Sequence, residues 1–250
     1  DEIGLPYQNT VKHSLTEVSK GEYLYVKETG KDFANVKLPK EFLIDADTVY
    51  SSTADGYVGN WGSKTWSTVH NAGTGLSKAT DNTSYANGPA CFYVNMAGLY
   101  NFIIRLYFYY SLTGLSGTVT AVTENIYGVT NGDSSVSIQK GTQQDTLANE
   151  DFDSFTGNEY GHTSSWSTSG YNSITYNAQG ISDVNGLIGS GVHKSCAREY
   201  PHDYQNSTAG TTNYRNGNYF ANTTDTTYDP YLYVTTVAGG GSLPLKNVFN

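Results

Sequence analysis

Histidine and acidic residues are the side chains whose types could support catalysis, but their spacing argues against it. The five histidines, at positions 13, 70, 162, 193 and 202, form no H-E-x-x-H or H-x-H pair. No G-x-S-x-G stretch is present to hold a nucleophilic serine. The sequence therefore predicts that the protein is not an enzyme and has no catalytic residues and no metal centre.

Two groups of residues leave alternatives open. His193, His202 and Asp203 would meet in a metal site if a strand and a loop separated the histidines, although ordinary loop positions are favoured. Three acidic pairs have a spacing that a glycosidase or a calcium site needs: Asp45 with Asp47, Asp151 with Asp153, and Asp225 with Asp229. No cofactor is predicted. Calcium is the alternative, because loop carboxylates bind hard cations, and a calcium site is favoured over a glycosidase site at these pairs.

Aromatic residues outside the expected core are the remaining functional signal. A flat apolar ring with a polar rim suits a sugar. Trp61 lies in a predicted loop, and three tyrosines crowd a long polar segment, whereas Trp66 and Trp166 are expected in the core. The candidate glycan-binding residues are therefore Trp61, Tyr200, Tyr204 and Tyr214. The three tyrosines fit an intersubunit surface equally well.

Cys91 and Cys196 are the two cysteines of the chain. A disulfide would suit a secreted protein, and two buried thiols would suit the same spacing. Both interpretations stay open at this stage.

The charge of the chain excludes several classes of partner. The net charge is −9 with only 14 lysine and arginine residues, so no cationic cluster exists to displace phosphate counterions or to dock on anionic lipid. The longest apolar run, Phe102–Tyr110, is of strand length and is interrupted by Arg105. We expect no nucleic acid partner and no membrane insertion.

Short alternating runs separated by Gly, Asn and Ser clusters predict an all-β fold, an antiparallel jelly-roll-like β-sandwich. One helical turn is expected near 146–155. The strand Phe102–Tyr110 is bulky on both faces, which predicts a central strand covered on both sides. The alternative is that its tyrosine face packs on a neighbouring subunit.

Composition divides the chain into three parts. Residues 1–46 are rich in Lys and Glu and predict an N-terminal arm with one or two strands. Residues 47–237 form the β-sandwich domain. Residues 238–250 begin with three glycines and predict an extended tail or linker.

Several stretches in order resemble the DNRLRE-type jelly-roll domains of secreted, cell-surface and phage structural proteins. They are Asp55–Val58, Thr65–Ala72, Ile104–Phe108, Gly141–Gln143, Leu147–Phe155, Ser165–Ile174, Ala197–Asp203 and Asp229–Thr235. The stretch Ala121–Tyr127 has one residue more than that pattern, which predicts a β-bulge near Thr123–Asn125. The resemblance implies a sandwich at a cell or virion surface and no shared enzymatic activity.

Two functional hypotheses follow. The first is a non-catalytic structural subunit of an extracellular or virion assembly, such as a fibre, filament, spike or decoration protein. Copies would join through a strand that the arm or tail adds to a neighbour's sheet edge. The alternative is a carbohydrate-binding or adhesive surface module that recognises surface glycans. Both hypotheses place the protein outside the cell, whether secreted, at the cell surface or in a virion.

Overall fold

The computed structural model describes residues 14–17, 24–27, 44–80, 84–85, 88–95, 99–209 and 212–237. The predicted tail and most of the predicted arm lie outside these residues. The strands are β1 Ser14–Glu17, β2 Leu24–Lys27, β3 Ile44–Tyr50, β4 Gly56–Gly62, β5 Ser77–Thr80, β6 Ser84–Tyr85, β7 Ala90–Asn95, β8 Leu99–Ser111, β9 Thr118–Gly132, β10 Val136–Gly141, β11 Phe155–His162, β12 Tyr171–Thr175, β13 Val192–Glu199, β14 Tyr214–Tyr219 and β15 Tyr231–Val237. The helices are α1 Trp66–His70 and α2 Ala178–Asn185, with a 3-10 turn at Asn149–Asp153 and a π-helical turn at Tyr200–Tyr204.

Two antiparallel sheets form the sandwich, which confirms the predicted fold class. The first sheet runs β11-β10-β13-β8-β4-β5. Strand β7 pairs with the first half of β8, on the edge whose second half pairs with β13. The second sheet runs β3-β15-β9-β12, and β14 and β6 extend it along β9. Strands β1 and β2 pair as a separate hairpin within the predicted arm. Strand β3 begins at Ile44, inside the predicted arm rather than after it.

The core lies between the sheets and is built by strand alternation. Leu106, Phe108 and Tyr110 of β8 face Val122 and Ile126 of β9, and all five are completely buried. Trp166 joins this core as expected, and its indole N–H donates to the carbonyl of Gly217 at 2.9 Å. The other face of β8 is covered as well, so the prediction of a doubly covered central strand is confirmed.

Loops and short helices supply that second cover. Val69 of α1 and Phe152 of the 3-10 turn pack with Ile103 and Tyr107 in a separate buried cluster. Tyr107 is completely enclosed and Tyr109 is 4% exposed. The alternative that this tyrosine face contacts a neighbouring subunit is therefore wrong.

The helical content is a second difference from the sequence analysis. The turn expected near 146–155 is present as the 3-10 turn, but α1 and α2 were not expected. Trp66, expected in the core, lies in α1 and is only half-buried against the cluster of Val69 and Phe152. Both helices begin at a capping side chain: Thr65 accepts from the backbone N–H of Thr68, and Asn177 accepts from that of Gly180.

The extra residue in β9 sits at a different place from the one predicted. Residues 123–125 pair in regular register with β12 and with β15. The register on β15 shifts where Thr235 faces Ala121 and Thr236 faces Val119, so Thr120 is the bulged residue. The bulge lies nearer the start of the strand because Glu124 and Ile126 must both reach the core.

A buried ion cluster ties the covering loops to the first sheet. The guanidinium of Arg105 donates to both carboxylate oxygens of Asp203, at 2.9 and 2.7 Å, and Arg198 donates to the same carboxylate at 2.8 Å. Arg105 also donates to the carbonyls of Phe152 and His70. Burial by itself would raise the pKa of Asp203, but Arg105 and Arg198 outweigh it and hold the pKa far below its usual range. The carboxylate thus stays charged and holds Arg105 of β8 in place. Arg105 in turn contacts the segments that carry His70, Phe152 and Asp203.

Replacing Asp203 with Asn should destabilise the protein strongly, because two buried guanidinium groups would lose their counter-charge. We expect the free energy of unfolding at neutral pH to fall by about 3–5 kcal/mol, measured by urea denaturation. Asp145→Asn is the matched control, since Asp145 pairs with Lys194 at 2.8 Å but is 98% exposed. The control should leave the midpoint almost unchanged. Equal shifts for the two variants would contradict this account.

Candidate functional site

Five tyrosines form a continuous row, here called the tyrosine row, on the outer face of the second sheet. In order of contact they are Tyr50, Tyr231, Tyr171, Tyr127 and Tyr228, with successive ring centroids 5.9, 4.9, 5.1 and 4.6 Å apart. Tyr219 packs on both Tyr127 and Tyr228, at 5.7 and 4.7 Å, so it lies beside this end of the row and does not lengthen it. The first three contacts are edge-to-face, which is a favoured geometry for aromatic pairs.

Strand alternation and register place these rings side by side. Tyr127 follows the buried Ile126 on β9, so its side chain points away from the core. Register pairs Tyr171 directly with Tyr127, and it pairs Tyr231 directly with Tyr50. Each of these rings therefore lies beside a ring on a neighbouring strand.

The two ends of the row are its most accessible parts. Tyr50 is 42% exposed and Tyr228 is 39% exposed, while the rings between them are half-buried. The hydroxyl of Tyr171 donates to the carbonyls of Thr227 and Asp229, at 3.1 and 3.2 Å, and so holds the loop that carries Tyr228. Burial raises the pKa of Tyr171 to about 12, and burial also raises that of Tyr231. Both phenols are therefore neutral at physiological pH.

The strand positions around the row carry small polar groups and no charged side chain. Along the paired stretches of β3, β15, β9 and β12, the outward positions with exposed or half-buried side chains include Ala46, Thr48, Tyr50, Tyr231, Tyr233, Thr235, Val237, Ala121, Thr123, Tyr127, Tyr171, Ser173 and Thr175. Asn125 is only 5% exposed, and its side-chain oxygen accepts from Ser173 at 2.7 Å. Such a face offers apolar rings beside hydroxyl groups, which suits the mixed surface of a sugar.

The predicted glycan-binding residues lie elsewhere. Tyr200 stacks on His162 at 3.9 Å and on Tyr204 at 5.6 Å, while Tyr214 packs on His202 at 4.1 Å. The π-helical turn thus brings the three predicted tyrosines into one region beside the first sheet. All three are half-buried, and the Tyr204 hydroxyl accepts from the backbone N–H of Glu159.

Trp61 does not join that group. It lies in strand β4 and not in a loop, because β4 pairs with β8 as far as Gly62. Its indole stacks on Phe102, the residue opposite it in register, at 5.7 Å. Trp61 therefore makes a cross-strand aromatic pair.

The histidine and acidic residues singled out from the sequence have separate partners. His193 is buried beside Tyr176, His202 contacts Glu199 at 2.9 Å, and Asp203 belongs to the ion cluster. Asp151 accepts from the backbone N–H groups of Gln144 and Ala148 and shapes the 3-10 turn. Within the described ranges, no group of three or more His, Cys, Asp or Glu residues is arranged to hold a metal ion.

The cysteines are too far apart for a bridge. Cys91 pairs with Ile103 and Cys196 pairs with Tyr107, four residues further along β8. That offset is about 13 Å along a strand, whereas bridged cysteines have Cα atoms about 4.4–6.8 Å apart. Cys196 is a free buried thiol whose pKa burial raises to about 12, so the disulfide interpretation is wrong.

A second buried carboxylate links the two sheets. Glu124 of β9 accepts from the hydroxyls of Tyr110 and Ser195, both at 2.8 Å, and from Tyr176 at 2.5 Å. Burial raises the pKa of Glu124, and the three hydroxyl donors oppose that rise. His193 lies 3.1 Å from the Tyr176 hydroxyl, and burial lowers its pKa to about 4. All five side chains are enclosed in the core, so we assign this network to stability.

Comparison with known proteins gives only a distant structural likeness. No family model matches the chain, and comparison with curated proteins gives no match. Two solved structures of the epithelial adhesin 9 A domain of Candida glabrata, in complex with Galβ1-3GlcNAc and with Galβ1-4GlcNAc, are similar to it. Their identities are 9% and 10% and their TM-scores 0.26 and 0.25, over 78% of this chain and 96% of the adhesin domain. A likeness this distant says nothing about what the chain binds.

His193 should make stability depend on pH in the mildly acidic range. The folded state keeps its ring neutral down to pH about 4, whereas the unfolded chain takes up the proton below pH about 6.5. The free energy of unfolding should therefore fall by about 3 kcal/mol as pH drops from about 6.5 to about 4.

Denaturation at a series of pH values tests this expectation. His193→Gln should flatten the dependence, since Glu124 and the ion cluster remain in the variant. His162→Gln is the control, because the His162 side chain is 40% exposed and contacts only the surface residue Glu159 among acidic groups. The assignment fails if His193→Gln and the native chain show the same slope.

Proposed function

We propose that this protein is a non-catalytic carbohydrate-binding module of an adhesive surface protein. The observation that supports the proposal is the tyrosine row on an uncharged sheet face. Stacking on neutral phenol rings suits the apolar faces of sugar rings, and the adjacent Thr and Ser side chains suit their hydroxyl groups.

The charges around the row favour neutral glycans over acidic ones. The chain has a net charge of −9, and no outward position of the four strands supplies a cation. Asp225 is exposed in the loop that leads to Tyr228. An acidic sugar at that end of the row would meet a carboxylate, so we expect neutral hexoses or pentoses.

Removing the exposed rings should weaken binding without unfolding the protein. We expect Tyr50→Ala with Tyr228→Ala to weaken binding to neutral glycans by about tenfold or more, because two stacking faces are lost. A panel of soluble glycans and insoluble polysaccharides would identify the ligand, and calorimetry would give its affinity. Val192→Ala is the control, since Val192 is 45% exposed in β13 of the first sheet and not on the face that carries the row.

A second pair of variants separates this surface from the site suggested by the sequence. Trp61→Ala and Tyr200→Ala should leave glycan affinity within about twofold, because both rings pack on other residues of the protein. Loss of binding in these variants, with the Tyr50 and Tyr228 variant unaffected, would move the site to the π-helical turn. Absence of binding to every member of the panel would refute the proposal.

We also propose, as a second candidate, a structural subunit of an extracellular assembly such as a filament or virion. The supporting observation is the edge of the second sheet, where β3 pairs with β15 alone within the described part of the chain. Ser51 donates its backbone N–H to Pro230, so odd-numbered positions of β3 face β15. The backbone groups of Ala46, Thr48 and Tyr50 then face outward, where the arm or tail of another copy would add a strand.

Blocking this edge tests the second candidate. Thr48→Pro removes an outward N–H while leaving the bonds to β15 in place, so we expect it to lower self-association. Thr48→Val keeps the N–H and should assemble like the native chain. Sedimentation at high concentration and electron microscopy would show the difference. A native chain that stays monomeric under these conditions would exclude this candidate.

A further inference from the structure

We infer that the tyrosine row binds the interior of an extended neutral polysaccharide chain that lies across the strands, and not a terminal sugar. This inference rests on the proposed carbohydrate-binding function and specifies its ligand. Its basis is the shape of the row, the openness of its ends and the polar groups beside it.

The row is long and its contacts repeat at short intervals. Four successive ring contacts, each between 4.6 and 5.9 Å, connect Tyr50 at the edge strand β3 with Tyr228. Two of them join residues paired in register on neighbouring strands, Tyr50 with Tyr231 and Tyr171 with Tyr127, and neighbouring strands lie about 4.8 Å apart. Tyr231 reaches Tyr171 across β9, and Tyr228 comes from the loop before β15. The interval between rings is comparable with the length of one sugar unit in an extended chain. Several consecutive sugars would therefore each meet a ring.

Both ends of the row are accessible. Tyr50 and Tyr228 are the most exposed of its rings, and the half-buried ones lie between them. Recognition of a terminal sugar needs a concave site that encloses that sugar and reads its free hydroxyl groups. An open row on a sheet face instead lets a chain continue past Tyr50 and past Tyr228.

Polar side chains lie beside the row where the hydroxyl groups of the same chain would project. Register places the exposed Ser173 on the cross-strand line of Tyr50 and Tyr231. Thr48 and Thr123 occupy the next line, on either side of Tyr233, which is two residues along each strand and about 6.8 Å away. One chain would therefore contact rings beneath it and hydroxyl groups at its side.

Affinity should consequently rise with ligand length until the row is filled. The probes are neutral β-1,4-linked glucose, xylose and mannose oligomers, from disaccharide to hexasaccharide, titrated into the full chain by calorimetry. We expect at least one series to gain about tenfold in affinity from disaccharide to hexasaccharide, since added sugars reach further rings.

Two variants locate the added contacts. Tyr50→Ala and Tyr228→Ala should each lower the affinity for the hexasaccharide several-fold and leave that for the disaccharide within about twofold, because a short ligand still has the central rings. Val192→Ala, in β13 of the first sheet, should change neither affinity. Circular dichroism and the unfolding midpoint of each variant establish that the sheet is intact.

The outcomes distinguish this inference from the proposed carbohydrate-binding function on which it rests. Equal affinity for short and long oligomers, or binding in the glycan panel that requires a free terminal sugar, overturns the inference and leaves carbohydrate binding standing. Failure of all three series alongside binding to another glycan has the same meaning. Absence of binding to every glycan and polysaccharide overturns both.

Discussion

The fold depends on one constraint on strand β9. The strand must bury the side chains of one face in the core and expose those of the other face to solvent. Val122, Glu124 and Ile126 are enclosed between the sheets, while Thr123 and Tyr127 point outward. Because β9 pairs with β12, β14 and β15, its register sets the register of the whole second sheet. A slip of one residue would expose the core positions and bury Tyr127. The register shift at Thr120 and the one between β9 and β14 both lie outside residues 122–127, so they do not disturb this alternation.

Two of the buried carboxylates hold the sheets and loops together, and each does so in a different way. Asp203 stays charged because Arg105 and Arg198 surround it, and it fixes loops on the first sheet. Glu124 has three hydroxyl partners and no cationic neighbour among its hydrogen-bond contacts, and it joins one sheet to the other. Buried polar groups destabilise the folded state unless they have hydrogen-bond partners. Both carboxylates have such partners within the protein, so they stabilise the fold.

Much of the fold follows from local patterns. The alternation in Phe102–Tyr110 predicts β8, and its bulk on both faces predicts the double cover that Phe152 and Val69 provide. The helices α1 and α2 are missed because they are five and eight residues long, too short for a helical period to show. Trp61 is misplaced for a related reason: its flanking glycines indicate a loop, yet pairing with β8 extends through Gly62.

The tyrosine row shows which part of the structure cannot be predicted from local sequence. The sequence by itself determines that Tyr127 and Tyr231 each sit beside a core residue in a strand, since alternation is read from neighbouring positions. It also determines that the surface is acidic overall and poor in cations. Only the tertiary structure decides that Tyr50, Tyr231, Tyr171 and Tyr127 are neighbours, although they come from four strands far apart in the chain. The physical reason is that register between strands is set by how the whole core packs, and no segment of the chain carries that information alone.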